Sequence, residues 1–316
     1  MTKFRAAVIG VGYLGRFHAQ KYALLDEVEL VGVADTSRQR AEEVAAEVRT
    51  AAYTDYRELL QQADMVSIAV PTPFHFQVAR DCLEAGCHIL LEKPITQTVA
   101  EAEELIRLAA DRGLVFQVGH LERFNPAVLA LRGILKNPLF VESHRLAPFK
   151  SRGTDVNVVL DLMIHDIDII LNMVPSTIKL VNSVGVPVLS EEVDIANARL
   201  QFENGCVANV TASRVSRESM RKIRIFQADA YISIDYQARK IALYRKEGEG
   251  MPIPGLPHVT MEERSFEQSD ALLAEITAFV EAVQTGKPPQ VTGEDGKRAL
   301  ELALQINRKL WHEVRN

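Results

Sequence analysis

An α/β amino-terminal domain with a parallel, doubly wound sheet, followed by an α+β domain with an open, largely antiparallel sheet, is the fold class this 316-residue sequence predicts. Three observations predict it. Short apolar runs alternate with helical patterns up to about residue 118, in βαβ order. A glycine-rich turn joins the first run to the first helix, and beyond residue 120 successive short strands alternate apolar and polar residues.

The elements follow in order. Residues 6–9 form an apolar strand leading into a helix that ends near Ala23, and a strand over 30–34 with a helix over 38–48 repeats the unit. Runs at 65–70, 88–91 and 114–118 alternate with helices at 75–85 and 98–112. At least five parallel strands are expected, and their apolar character suits a sheet covered on both faces. The boundary is placed near 120, dividing the chain into 1–120 and 121–316. Beyond it the pattern predicts a helix over 126–136 and a strand over 140–145, then a polar turn. Strands follow over 178–184, 194–202, 207–212, 221–226, 231–235 and 240–244. Their alternation favours an antiparallel sheet with one wet face. Residues 251–258, with three prolines, read as a loop, and helices over 269–284 and 293–311 close the chain, the carboxyl-terminal part returning to the first domain.

Composition narrows the function classes. A formal charge of -6 supplies no general attraction to nucleic acid or an anionic membrane, so the expected partner is a small molecule. The opening MTKFRAAVIGVG passes straight into a strand and glycine turn, where a secretory signal needs a longer apolar segment, and no apolar run of about 18 residues suggests membrane insertion. Cys82, Cys87 and Cys206 lack Cys-x-x-Cys spacing, so free buried thiols in a reducing cytoplasm are expected, with no thiolate metal site.

The strongest local signal is GVGYLG, with Gly10, Gly12 and Gly15 between an apolar strand and an amphipathic helix. Gly10 suits the tight turn, Gly12 admits a pyrophosphate close to the backbone, and Gly15 lets helix and strand approach, as in a Rossmann domain. Amides at the helix start face the phosphate charge. Tyr13 and Leu14 shape this turn, and Tyr13 is a candidate cofactor contact. Asp35, 20 residues beyond Gly15 at the end of the next strand, can accept both adenosine-ribose hydroxyls and repel a 2'-phosphate. NAD is therefore the expected cofactor, with Ser37 and Arg38 the groups that could accommodate NADP instead. An N-cap role for Asp35 is compatible with a ribose contact.

GVGYLG at 10–15, VPTPFH at 70–75, EKP at 92–94 and DLMIHDID at 161–168, in that order, resemble the glucose-fructose oxidoreductase, inositol dehydrogenase and rhizopine-catabolism (Gfo/Idh/MocA) family over nearly the whole chain. The resemblance implies that Pro71, Thr72, Pro73 and His75 border the dinucleotide, although a packing role for His75 is equally compatible with the residues. It implies that Glu92, Lys93 and Pro94 form a turn reaching nicotinamide and substrate. Asp161 and His165, four residues apart, share one face of a helix. The resemblance makes His165 the general acid or base for the reacting hydroxyl, a task suited to histidine near neutral pH. Asp161 then orients substrate or histidine, Lys93 hydrogen-bonds the reacting oxygen, Asp168 is structural and Asp166 peripheral. GHLERFNP at 119–126 resembles another family segment, with His120 and Arg123 as substrate candidates and Phe124 and Pro126 as packing residues.

These readings predict an NAD-dependent dehydrogenase that oxidises a secondary alcohol of a polyhydroxylated ring, with no metal. The GHLERFNP segment and compact length are further similar to family members acting at C-3 of UDP-N-acetylglucosamine ahead of amination in lipid A precursor synthesis. That implies a nucleotide-sugar substrate and a downstream aminotransferase. A diphosphate needs local positive charge, for which Arg145, Lys150 and Arg152, or the later run Arg214, Arg217, Arg221, Lys222 and Arg224, are candidates. Arg152 is the first choice. The open sheet face suggests a homodimer or homotetramer. An inositol or free-sugar dehydrogenase and a non-catalytic cofactor-binding regulator are the alternatives.

Overall fold

Phe4–Ile9 (β1) begins a βαβ succession whose strands all run the same way. α1 (Tyr13–Tyr22), β2 (Val28–Ala34), α2 (Arg38–Val48), β3 (Ala51–Tyr53), α3 (Arg57–Leu60), β4 (Met65–Ile68), α4 (His75–Glu84), β5 (His88–Glu92), α5 (Val99–Asp111) and β6 (Phe116–Gly119) follow. Together they form a six-stranded parallel sheet in the order β3-β2-β1-β4-β5-β6. The molecule is described by a computed structural model that covers residues 3–149, 156–246, 259–267 and 270–314. Every residue of β4 is buried, as the apolar run requires of a strand covered on both faces. The sequence reading missed β3, whose three residues carry too little pattern.

Local chemistry sets the helix ends. Thr98 caps α5 by accepting from the Glu101 amide while Glu101 returns a bond to the Thr98 amide, a reciprocal capping box. Ser37 caps α2 by accepting from Arg40 N.

By contact density the chain divides into Met1–Leu121 with Asp270–Leu300, and Glu122–Ser269 with Glu301–Asn316. α8 (Ala271–Thr285) belongs to the first unit. Its Ile276, Phe279 and Val280 join Ala19 and Tyr22 of α1 and Val8 of β1 in one core cluster. Asp270 caps α8 through Leu273 N and pairs with Lys21 at 2.6 Å. Ile276 and Phe279 are fully buried, and burial of such side chains contributes about 1.5–3 kcal/mol each.

In the second unit, α6 (Pro126–Leu129) and β7 (Phe140–Leu146) precede a π-helical turn, Val159–Met163, that runs into α7 (Ile164–Met173). The helix expected over 126–136 is confined to α6, and Gly133 at φ 83° interrupts the turns beyond it. The strands are β8 (Ile178–Val186), β9 (Ile195–Phe202), β10 (Val207–Ser213), β11 (Met220–Gln227), β12 (Ala230–Asp235), β13 (Lys240–Lys246) and β14 (Val259–Ser265). With β7 they make an eight-stranded sheet, β14-β13-β12-β11-β7-β10-β9-β8, antiparallel except for the β7–β10 pair. Alternation is clear in β12, where Ala230, Ile232 and Ile234 are buried and the intervening residues half-buried. On the wetter face Phe140, Phe226, Tyr231 and Tyr244 form a ladder across four strands, with ring centroids 4.9–5.7 Å apart. The loop expected over 251–258 lies outside the described residues.

The last helix, α9 (Gly293–Val314), starts in the first unit and ends in the second, where Ser183 of β8 donates to Ile306 O at 3.1 Å. Cys82, Cys87 and Cys206 are free and buried, as expected. Among the described residues no helix is long and apolar enough to cross a membrane.

Candidate active site

The crevice of an open α/β sheet lies at the carboxyl edge where the strand order reverses, here between β1 and β4. The glycine turn follows β1. Gly10 adopts φ 82°, and a Cβ there would lie 2.8 Å from the backbone of Ala69 and Val70. At Gly15 a Cβ would fall within 1.8 Å of the Gly10 carbonyl, so this position in the first turn of α1 can seat only glycine. Gly12 differs, since nothing lies within 4 Å of its Cβ direction. It is also the N-cap of α1 and provides no side-chain cap, which leaves first-turn amides available to an anion. Tyr13 is 69% exposed at this helix start, its ring edge-on to Phe17, and Leu14 is half-buried.

Asp35 stands one residue past β2 and ties the neighbouring loops together. Its Oδ2 accepts from Val11 N at 3.1 Å, its Oδ1 from Ser37 N at 2.9 Å, and Arg40 reaches both oxygens at 3.3 Å. Asp35, Arg40, Gly10, Thr36, Pro71 and Phe74 line a cleft of about 410 Å³. This corrects one expectation: Arg38 faces Glu42 at 3.6 Å, Ser37 caps α2, and Arg40 is the cation beside the carboxylate. The open backbone at Gly12, the uncapped helix and the Asp35 cleft fit a dinucleotide.

Two more loops leave the same edge. After β4, Pro71 is exposed and Thr72 half-buried on a 3₁₀ turn, Thr72–Phe74. His75 does not face that crevice as expected. Its ring is 1% exposed, with Nδ1 2.8 Å from Pro94 O and Nε2 2.8 Å from Val70 O, so it clamps the loops after β4 and β5 to each other. Burial lowers its pKa, and the two carbonyls oppose that effect. After β5, Lys93 is half-buried and joined to Pro94 by a cis peptide. The Glu92 carboxylate, expected near the cofactor, turns inward instead, 3.1 Å from His18 Nε2, and accepts the Lys93 amide at 3.3 Å. His120 directly follows β6 with 1% exposure.

In the second unit the DLMIHDID segment spans the π-helical turn and α7. Asn157 anchors its start, Oδ1 accepting from Val159 N and Leu160 N. Asp161 on the π turn and His165 in the first turn of α7 are both half-buried. π-helical turns recur where a helix must present functional side chains. Further along α7 the acids face inward. Asp168 takes the Arg123 fork at 2.6 and 2.8 Å, as its structural role implied, and this turns Arg123, a substrate candidate, toward the protein. Asp166, expected at the periphery, is 1% exposed and binds Ser143 at 2.9 Å and Arg145 at 2.6 Å.

The proposed diphosphate cations are corrected in the same way. Arg145 is 3% exposed and held by Asp166 and by Glu122 at 3.0 Å. Arg214 is 5% exposed, bonded to Asp194 at 2.7 Å and Ser190 at 2.9 Å. Lys222 pairs with Asp235 and Arg224 with Glu142. Arg221 is exposed and 3.9 Å from Glu122. Arg217 is exposed and makes no hydrogen bond or ion pair among the described residues. Lys150 and Arg152 lie outside those residues. Sequence reasoning missed Arg40, His18 and Glu275; the signal for Arg40 was its place one turn into the helix after Asp35.

The family described as "Oxidoreductase family, NAD-binding Rossmann fold" matches residues 4–120, and the GFO/IDH/MocA C-terminal domain matches 132–233. UDP-N-acetylglucosamine 3-dehydrogenase of Acidithiobacillus ferrooxidans is 44% identical over 307 residues, 97% of each chain. The solved structure of that enzyme superposes with a TM-score of 0.91, at 41% identity and 98% coverage of both chains. Myo-inositol 2-dehydrogenase of Thermotoga maritima is 25% identical over 97% of this chain and 96% of its own. Scyllo-inositol dehydrogenase from Lactobacillus casei, solved with NAD(H) and scyllo-inositol, shares the fold at TM-score 0.82 and 22% identity over 99% of this chain and 98% of its own. With the dinucleotide crevice already in place, the chain belongs to the Gfo/Idh/MocA oxidoreductase family and is an NAD-dependent dehydrogenase acting on a CH–OH group of a sugar or polyol.

Proposed function

We propose that the substrate is UDP-N-acetylglucosamine and that its C-3 hydroxyl is oxidised to a ketone. The observation that carries this reading is likeness along the entire chain: 44% identity to a UDP-N-acetylglucosamine 3-dehydrogenase against 25% to an inositol dehydrogenase, at equal coverage of this chain. Bound NAD supplies the acceptor for the hydrogen on the reacting carbon. In this reading His165 takes the hydroxyl proton, Asp161 orients the imidazole or the sugar, and Lys93 donates to the reacting oxygen as negative charge grows on it. Asp35 receives the adenosine ribose. Tyr13, Leu14, Pro71 and Thr72 border the dinucleotide, and His120 contributes on the substrate side. Arg145 and Arg214 are withdrawn from the diphosphate role, and Arg123 from substrate contact, because acidic partners hold them. Arg217 and Arg221 take their place as candidates, in addition to Arg152. Ser216 N donates to Ala147 O, which sets Arg217 next to the segment leading into residues 150–155.

The proposed product suits a cytoplasmic route in which an aminotransferase converts the ketone to an amine ahead of lipid A precursor synthesis. The free, buried cysteines agree with a reducing compartment. Self-association through the open face of the larger sheet completes the reading: the ladder of Phe140, Phe226, Tyr231 and Tyr244 suits a second copy of this chain, and light scattering on the eluting protein distinguishes monomer, dimer and tetramer.

The test is product identity. Purified protein, NAD and UDP-N-acetylglucosamine are mixed with a carbonyl trap, and the recovered nucleotide sugar is analysed by NMR and mass spectrometry, with inositol and glucose in parallel. A ketone at C-3 is expected. Efficient turnover of inositol or glucose with no trapped nucleotide sugar overturns the substrate and keeps the dehydrogenase.

A further inference from the structure

Three titratable groups meet inside the first unit and have no part in the reaction just described. His18 of α1, Glu92 of β5 and Glu275 of α8 bring ligand-type atoms within 4.8 Å of one another, at 0, 7 and 0% exposure. His18 Nε2 and Glu92 Oε1 are 3.1 Å apart, and Glu92 Oε2 accepts the amide of Lys93. Neither carboxyl oxygen of Glu275 makes a hydrogen bond among the described residues. The groups facing this set come from every neighbouring element. Tyr22 of α1 is bonded to Ser67 of β4 at 2.9 Å, Gln117 of β6 donates to the Glu275 carbonyl at 3.0 Å, and His75 of α4 acts electrostatically on the Glu92 side.

Two carboxylates this close and this dry cannot both carry charge without strong repulsion. The Glu92 carboxyl has two hydrogen-bond partners, the His18 ring Nε2 and the Lys93 amide. Glu275 has none, and its burial followed by the nearby Glu92 holds its carboxyl well above the usual range. Glu275 is therefore the acid that favours its proton, and Glu92 has one oxygen for His18 and the other for Lys93.

We propose that His18 and Glu275 are positioning residues for Lys93: with Glu92 they form a buried set that orients the Glu92 carboxylate onto the Lys93 amide and so fixes the turn that carries the Lys93 side chain. On the other side of that turn His75 holds Pro94. Lys93 is bracketed by two buried histidines, each acting through its neighbour. The inference rests on the role assigned above to Lys93.

The experiment compares His18→Leu, His18→Asn and Glu275→Gln with the parent protein. The first variant has no donor, the second is polar but too short to reach Glu92, and the third is an uncharged mimic of the protonated acid. Amide hydrogen exchange in cofactor-free protein reads peptides covering 88–97, NAD affinity reads the nucleotide site, and single-turnover NAD reduction with UDP-N-acetylglucosamine reads the chemistry. Both His18 variants should exchange faster over 88–97 and reduce NAD about 10- to 100-fold more slowly, the scale of a misplaced reacting group, with NAD affinity within about threefold. Glu275→Gln should keep the parent exchange pattern and the parent rate at pH 7. It should also abolish any alkaline loss of rate that follows ionisation of Glu275 in the parent. Parent-like exchange and rate in a folded His18 variant overturns the inference. So does about one equivalent of tightly bound divalent metal in the purified protein that Glu275→Gln loses, since the three groups would then be ligands. If His18→Leu does not fold, His18→Asn and Glu275→Gln decide the matter. Lys93→Met separates the two readings: if it reduces NAD at the parent rate, the role of Lys93 fails, while the exchange data still report whether His18 holds the turn.

Discussion

Buried charge is handled in opposite ways in the two units. In the second, each deeply placed arginine meets its acid by direct short bonds: Arg145 with Asp166, Arg123 with Asp168 and Arg214 with Asp194. In the first, Glu92 and Glu275 share a dry site with a histidine, and burial holds the Glu275 carboxyl well above its usual range. Paired charges hold a scaffold in place, whereas a buried acid without a cation makes local geometry depend on its proton. The first arrangement supports a sheet, and the second lies directly behind Lys93.

The largest effect should come from breaking a pair. Arg145→Met leaves Asp166 buried without its cation, and chemical denaturation should show a loss of about 3–5 kcal/mol. A loss below about 1 kcal/mol would mean that the network is dispensable and the comparison fails on that side.

Asp35→Ala comes next. It removes the carboxylate that organises Val11, Ser37 and Arg40, and titration should show NAD affinity weaker by about tenfold, or about 1.4 kcal/mol. Unchanged affinity would assign Asp35 to the loop alone.

The two kinds of buried acid should tilt stability in opposite directions with pH. Burial would raise the Asp194 carboxyl, but bonds from Ser190, Arg214 and the Leu189 and Val188 amides outweigh it and hold the group well below its usual range. Its contribution is present above the unfolded-state pKa near 4 and is lost as pH falls through the acid range. Glu275, raised instead, contributes below about pH 4.5 and loses that stability as pH rises toward its folded-state value. Each group changes stability by at most about 1.4 kcal/mol per pH unit. Melting curves should therefore show Asp194→Asn flattening the acid limb and Glu275→Gln flattening the alkaline limb. The same slopes in parent and variants would contradict both assignments.

The smallest effect belongs to the surface. Arg217→Ala should raise the KM for UDP-N-acetylglucosamine about threefold, close to the 0.2–1 kcal/mol scale of an exposed charge contact, with NAD affinity unchanged. An equal effect on KM for inositol would remove the diphosphate from the explanation.

What was legible in the sequence follows the same division. Gly10 and Gly15 could be read because backbone contacts leave no room for a Cβ, a constraint that shows as glycine at fixed spacing. The strands of both sheets could be read from apolar runs or alternation, except β3, too short to show a period, and β14, whose exposed edge residues Glu262, Glu263 and Arg264 carry no apolar face. Side-chain direction was hidden. Nothing local marks Glu92 as turning toward His18, because Glu275 arrives from a helix far along the chain. Arg145 and Arg214 look in sequence like any other basic residue, and only their pairing with Asp166 and Asp194, 21 and 20 residues away along the chain, shows them to be internal. A helix over Asp161 and His165 was legible, although the π-helical turn that carries Asp161 was not.

The central claim is that His165 takes the proton from the hydroxyl of a nucleotide sugar. Single-turnover absorbance at saturating UDP-N-acetylglucosamine, comparing the parent with His165→Asn, tests it most directly once NAD affinity has been measured for both. NAD affinity should be retained and NAD reduction should be slower by about 100- to 10000-fold, the usual contribution of a positioned general base. Reduction of NAD by His165→Asn at the parent rate would contradict it.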